Sequence, residues 1–428
     1  MLPQRLTELF LQHRAVCTDT RKIAPGDIFF ALKGPNFNGN TYAAKALEQG
    51  ASAVVVDEPC PCPEEATVSV DNVLRTLQEL SAWNRVRLGL PVLAITGSNG
   101  KTTTKELVRD VLSARFRVFA TPGNLNNHIG LPLSLLSIPD GTEIAVIEMG
   151  ANHGGEIADL CAIARPDFGF ITNAGKDHLE GFGDVEGVRN ALGELYEYLR
   201  NSGGKVFVNS LEPDLVPLAA GIPGFHFGAA TDSLYANVFS NQRTLSVQWW
   251  ENGRDYGIIH SRLAGEYNLR NILSAIAIGR YFSVEPGAIR LAIESYSPGN
   301  NRSQLVVTEK NEVILDAYNA NPSSMELALK NLSEQQGANS FFMIGDMLEM
   351  GESEGPEHRR ILQLCRELGL HGVTVGPAFG QCAGQSGYVN FRNVAEAKTY
   401  FEQNPVSGMI VLLKGSRGIR MEELLKVL

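Results

Sequence analysis

At 428 residues the chain exceeds what one hydrophobic core supports and predicts roughly two to four domains. Hydrophobic residues make up 44% and charged residues 20%, no apolar run nears the ~18 residues of a membrane span, and the N-terminus shows no secretory pattern, so a cytoplasmic globular protein that is not membrane-inserted is expected. A formal net charge of −10 argues against the basic face that nonspecific nucleic-acid binding draws on, so no nucleic-acid partner is expected and any phosphate chemistry must be local.

In chain order, residues 1–88 read as a small α/β unit with short strands at 28–31 and 53–57 and helices at 41–49 and 72–86. The segment 89–298 alternates strands (92–96, 117–120, 144–148, 168–172, 205–209) with helices (102–115 and near 186–200), which predicts a mainly parallel sheet with helices on both faces. Polar and apolar alternation at 243–250 predicts an antiparallel hairpin region, followed by a helix at 268–281. After the turn-rich run 297–301, a third unit, 299–428, alternates strands (312–316, 341–345, 373–376, 409–414) with helices (322–332, 356–368, 394–403, 419–427), a Rossmann-like series. Cys17, Cys60, Cys62, Cys161, Cys365 and Cys382 lack zinc-ligand spacing and are expected as reduced thiols.

The run Gly97-Ser98-Asn99-Gly100-Lys101-Thr102-Thr103 follows an apolar strand and opens an amphipathic helix whose stripe is Leu107, Val108, Val111 and Leu112. Such a loop holds a nucleoside triphosphate: glycines let backbone N–H groups close on phosphate oxygens, the helix N-terminus adds its dipole, Lys101 supplies a charge, and the Thr102 hydroxyl suits Mg²⁺. A tight strand-to-helix turn also needs glycine, but Lys-Thr directly before the helix favours phosphate. The loop is shorter than the general G-x-x-x-x-G-K-T form, since Ile95 stands five before Gly100.

Other clusters carry charge chemistry. Glu148 ends a buried strand near the loop, where a Mg²⁺ ligand would sit; capping of the next helix is the plainer reading. His178 follows the next strand in the same way and reads as a ligand or as a structural histidine. Asn268 and Asn271 share a helix face, so their amides read as adenine contacts or, for Asn268, as a helix cap.

Together with that loop, six later runs, in order, resemble the Mur ligases of peptidoglycan synthesis over nearly the whole chain. They are Pro122-Gly-Asn124-Leu-Asn126-Asn127, Glu148-Met-Gly-Ala-Asn-His153, His178-Leu-Glu-Gly-Phe-Gly183, Asn268-x-x-Asn271, Asp316-Ala-Tyr-Asn319-Ala-Asn321-Pro322 and Lys414-Gly-Ser416-Arg417. Within the family, the runs at 123–127 and 316–322 are similar to those of ligases that join D-alanyl-D-alanine to UDP-N-acetylmuramoyl-tripeptide. The runs 18–21, 26–32 and 37–39 resemble the UDP-sugar-binding domain. The fold implied is α/β in three domains, a central P-loop parallel-sheet ATPase domain flanked by a small N-terminal α/β domain and a C-terminal Rossmann-like domain. The substrates implied are ATP, with Mg²⁺, the UDP-muramoyl-tripeptide and D-alanyl-D-alanine, and a monomer is expected.

The resemblance implies amide ligation through an acyl phosphate. Lys101, Glu148, His178 and Arg302 would be catalytic, with Thr102, Glu148 and His178 toward metal. Gly97, Ser98, Asn99, Gly100, Lys101, Thr102, Thr103, Asn268, Asn271, Arg302 and Asp316 would hold ATP, Arg302 at the γ-phosphate and Asp316 at the ribose; a solvated linker charge is the plainer reading of Arg302. Thr20, Arg21, Asn38, Asn124, Asn126 and Asn127 would bind the UDP-precursor, and Asn319, Asn321, Lys414 and Ser416 the dipeptide. One departure stands out: where these ligases carry a carbamylated lysine that ligates a second Mg²⁺, this chain reads Asn190-Ala-Leu192-Gly-Glu194, with Asp177 and Glu194 the nearest acidic groups in sequence. The alternatives are a related binding protein that ligates weakly or not at all, the ligase that adds the third amino acid, and a folylpolyglutamate synthetase-like enzyme.

Overall fold

Three parallel-stranded α/β layers follow one another along the chain in a computed structural model that describes residues 2–13, 15–299, 301–335, 339–384 and 387–428. Position 300, inside the expected linker, lies outside the described residues. The central layer is a six-stranded sheet in the order Gly224–Phe227, Lys205–Asn209, Phe168–Ile171, Val92–Thr96, Ile144–Glu148, Val118–Ala120, every pair parallel. Val92–Thr96 is buried throughout, as a strand covered on both faces must be. Its register pairs Ile95 with Glu148 and Thr96 with Ile171, so the carboxyl ends of three neighbouring strands finish on one edge of the sheet. The chain order reverses direction there, the place where open α/β sheets form their binding crevice.

The helix Lys101–Ser113 begins at Gly100 and buries Leu107, Val108, Val111 and Leu112 against the sheet and the helix Asn268–Tyr281. Helix Val185–Ser202 is capped by Asp184, which accepts from Gly187 N, and ends at left-handed Gly203. The segment expected as a hairpin is a three-stranded antiparallel sheet, Leu234–Ser240, Ser246–Glu251 and Arg254–His260.

The amino-terminal layer is a parallel sheet of Val16–Cys17, Ile28–Phe30, Ala53–Val56 and Thr67–Ser69, followed by helix Val73–Leu88, capped by Asn72 and ended at left-handed Gly89. The carboxy-terminal layer runs Gln304–Val307, Glu312–Asp316, Met409–Lys414, Asn339–Gly345, His371–Val375, Val389–Phe391, parallel except for its first strand. Helix Pro322–Ser333 starts in a capping box made by Asn321 and Ser324. Residues 419–427, expected as an α-helix, instead form 3₁₀ turns, Arg417–Ile419 and Met421–Val427, because Arg420 adopts φ 62° and breaks the helical run. The six cysteines are free. Among the described residues no helix is long and apolar enough to cross a membrane.

Candidate active site

The phosphate loop is shaped by two glycines that no other residue could replace without movement. Gly97 has φ 139° and a Cβ there would lie 2.0 Å from Thr172 Oγ1; Gly100 has φ 79° and a Cβ would lie 2.4 Å from Asn271 Oδ1. Ser98 and Asn99 are tied to the loop after the next strand: Ser98 N donates to Asn173 O at 3.0 Å, Asn99 N to Asn173 Oδ1 at 3.0 Å, and Gly175 N to Ser98 Oγ at 2.9 Å. Lys101 folds back, its ammonium donating to the carbonyls of Gly97 and Ser98. Thr102 and Thr103 are buried at the start of the helix.

Glu148 stands at the strand end as expected, 1% exposed. Its Oε1 accepts from Asn126 Nδ2 at 2.8 Å, whereas Oε2 accepts no hydrogen bond. An ammonium close to Oε2 belongs to a residue that the sequence did not single out. Lys105 is 0% exposed, donates to Thr121 O and Gly123 O at 2.7 Å each, and places Nζ 3.5 Å from Glu148 Oε2. Its signal was present: a lysine on the same helical stripe as Val108 and Leu112.

Asn268 and Asn271 face the loop, but their amides serve each other. Asn268 Nδ2 donates to Ala264 O, Asn271 Nδ2 donates to Asn268 Oδ1, each at 2.8 Å, and Asn271 Oδ1 accepts from Thr104 Oγ1 at 3.1 Å. Tyr267, not Asn268, holds the N-cap position of that helix. The pair therefore braces Gly100.

The carboxy-terminal layer closes over this edge. Asn321 Nδ2 donates to Asn99 Oδ1 and to Asp177 Oδ1, both at 3.0 Å, and Lys176 N donates to Ser323 Oγ at 3.0 Å. Lys176 also pairs with Glu357; burial opposes the charge on that carboxyl, yet Lys176 and Arg360 hold it below the usual carboxylate range. His178, left-handed at φ 46°, places Nδ1 2.5 Å from Glu349 Oε2, and Glu349 is itself left-handed at φ 61°. Non-glycine residues in that region are costly and gather where a site is held in place by its surroundings. Asp316 accepts from Ser303 N at 3.1 Å and pairs with buried Lys414 at 2.6 Å; Lys414 also donates to Asn319 O at 3.2 Å. Ser416 Oγ donates to Ala320 O at 3.2 Å. Arg302 stacks 3.5 Å from the centre of the Tyr318 ring, and Arg417 lies 5.0 Å from it.

These residues enclose a cavity of about 630 Å³. Ser98, Asn99, Gly100, Lys101, Thr102, Thr103, Asn124, Asn126, Asn127, Glu148, His178, Asn268, Asn271, Arg302, Asp316, Asn319, Asn321 and Lys414 all line it. Gly97 and Ser416 are next in the chain to wall residues without being part of the wall, and Thr20, Arg21 and Asn38, in the amino-terminal layer, are not part of it either. Arg21 is paired with Asp19, and Asn38 donates to Glu58 Oε2 at 2.8 Å. Leu192 is 4% exposed in the apolar core beside Val188, Leu195 and Leu179. Glu194 is spent on backbone, accepting from Gly155 N at 2.6 Å and Ala158 N at 2.9 Å. Besides Lys105, the sequence reading missed Glu349, Tyr318 and Arg417 as members of the wall.

Fold and cavity together define a three-domain α/β protein with a phosphate loop facing the strand ends of a second parallel sheet. Family models match in the same order: the Mur ligase family catalytic domain at 13–87, the Mur ligase middle domain at 95–279 and the Mur ligase glutamate ligase domain at 301–417. The UDP-N-acetylmuramoyl-tripeptide–D-alanyl-D-alanine ligase of Bacillus subtilis is 33% identical over 96% of this chain and 92% of its own length, and that of Escherichia coli 32% identical over 97% and 93%. A crystal structure of MurF from Acinetobacter baumannii superposes with a TM-score of 0.87 at 30% identity, covering 96% of this chain and 92% of that one. This chain belongs to the Mur ligase family.

Proposed function

We propose that this protein is the ATP-dependent ligase that joins D-alanyl-D-alanine to UDP-N-acetylmuramoyl-tripeptide through an acyl phosphate, in the building of peptidoglycan precursor. The observation that carries the reading is the cavity itself, in which a phosphate loop on one sheet faces Arg302, Asp316 and Arg417 on another. Full-length kinship to ligases of that name supports it. A monomer working in the cytoplasm, where its nucleotide substrates are held, belongs to the same reading.

A carboxylate is a poor electrophile, so its oxygen must first take the γ-phosphoryl group of ATP, and two anions must meet. Lys101, now on loop carbonyls, would turn its ammonium to the β- and γ-phosphates, while the loop N–H groups hold the phosphate oxygens. Arg302 would meet the γ-phosphate and Asp316 the ribose, both carried by the part of the chain that closes over the loop. Asn124, Asn126 and Asn127 would position the tripeptide end of the UDP-precursor, whose nucleotide end Thr20, Arg21 and Asn38 would hold. Division of the chain at 1–88, 89–298 and 299–428 assigns these tasks to precursor, ATP and amine substrate respectively.

The residues fit one magnesium ion: Glu148 Oε2 is buried and accepts no hydrogen bond, with the Lys105 ammonium 3.5 Å away, and Thr102 lies in the first turn of the helix Lys101–Ser113. Bound there, the ion would neutralise phosphate charge. Among the described residues no cluster of three or more His, Cys, Asp or Glu stands ready for a metal, so phosphate and water would complete its shell. The second position known from the resemblance does not fit, because Leu192 is in the core and His178 Nδ1 faces Glu349. Initial rates are therefore expected to be indifferent to added bicarbonate, while Leu192→Lys supplied with bicarbonate should need less Mg²⁺. Identical Mg²⁺ titrations of both proteins with and without bicarbonate would remove position 192 from the account.

The direct test is phosphate release with each substrate omitted in turn. Turnover should require the tripeptide precursor and the dipeptide together, since transfer needs the acceptor carboxylate and resolution of the acyl phosphate needs the amine. Comparable release from ATP alone would contradict a ligase.

A further inference from the structure

The strand end that faces the phosphate loop presents two cations, and only one has charge to spare. Lys414 is 2% exposed and matched by Asp316 at 2.6 Å. The Ser416 hydroxyl gives its proton to Ala320 O and accepts from Leu348 N at 2.9 Å. Arg417, next in the chain, is exposed, lines the cavity and has no ion-pair partner among the described residues. Its guanidinium lies 5.0 Å from the Tyr318 ring centre, where Arg302 already stacks at 3.5 Å. Two cations on one ring are an arrangement that an anion in the cavity relieves.

The two arginines come to that ring from different segments of the chain. Arg302 leaves the junction beside Ser303, whose N–H bonds Asp316, on the side read as ribose and γ-phosphate. Arg417 begins the turn Arg417–Ile419, where Gly418 lies so close to Leu348 that a Cβ would be 2.9 Å from Leu348 Cδ1. Leu348 precedes Glu349, which meets His178. Arg417 thus sits toward the loop 348–349.

An amine that attacks an acyl phosphate must do so uncharged, so the one permanent charge of a dipeptide substrate is its carboxylate. A guanidinium fork matches that group in two parallel hydrogen bonds. We propose that Arg417, with Tyr318 as its platform, binds the carboxylate of the incoming dipeptide and so selects a free C-terminal acid in the amine substrate. The proposal rests on the ligase reading above.

The experiment compares D-alanyl-D-alanine with D-alanyl-D-alaninamide, which keeps the amine and loses the charge, in wild type, Arg417→Lys and Arg417→Gln. Charged hydrogen bonds of this kind predict a wild-type preference for the acid of ~10- to ~100-fold in kcat/KM. Arg417→Gln should abolish the preference through a raised KM for the acid, with the KM for ATP unchanged, and Arg417→Lys should keep part of it. A ratio measured on one enzyme does not depend on how much of it is folded. If Arg417→Gln is inactive, a full preference retained in Arg417→Lys overturns the proposal and a reduced one supports it. A wild type that uses acid and amide alike overturns it, as does Arg417→Gln with its preference intact or with only the KM for ATP raised. A wild type that makes no product with either dipeptide would instead defeat the ligase reading.

Discussion

Lys101→Ala is expected to lower kcat by ~10²-fold or more, the usual cost of removing one preorganised electrostatic donor from a transition state. Its ammonium is the one mobile charge on the loop, and it is held only by the carbonyls of Gly97 and Ser98, an arrangement that releases it easily to a stronger acceptor. The variant should fold, because nothing else in the loop hangs on that side chain: Ser98 and Asn99 are fixed by Asn173 and Gly175. Single-turnover phosphate release at saturating ATP is the measurement, and a rate within a factor of a few of wild type would mean that ATP does not react at this loop.

Four residues on, the same substitution type should act on stability. Lys105→Met removes a fully buried ammonium that holds the carbonyls of Thr121 and Gly123 and faces Glu148 and Glu106. Breaking a buried charged group from one side costs about 3–5 kcal/mol, because the partners stay desolvated. The thermal midpoint should fall by roughly 10 °C. Calorimetry on the full chain checks it, and a shift near zero would mean that Lys105 is replaceable by water.

The contrast shows what the chain reveals before it folds. Strands such as Val92–Thr96 and Ile144–Glu148 were legible to the residue because they are short apolar runs closed by turn signals, buried on both faces. Helices Gly130–Leu136 and Glu156–Ala164 escaped notice: the first carries Pro132 within it and the second follows two glycines. The loop, Glu148 and His178 could be found from local pattern. Glu349, Tyr318 and the Asn321–Asn99 bond could not, since a contact between residues 222 positions apart leaves no periodic trace. The pairing of Lys414 with Asp316 was hidden for the same reason, since the two are 98 residues apart.

Arg85, near the end of helix Val73–Leu88, reaches out of the amino-terminal layer to Ala164 O at 2.9 Å, Arg165 O at 3.0 Å and Asp167 Oδ2 at 2.8 Å. The same Asp167 oxygen accepts from Val92 N, the first residue of the central sheet, and Asn84 Nδ2 donates to Leu135 O nearby. A rivet of this kind, its side chain 8% exposed, ties the first two layers together. On the function proposed above they form the anvil and the carboxy-terminal layer the hammer: the precursor and the phosphates would rest on one bed, and the amine would be brought to it by the third layer.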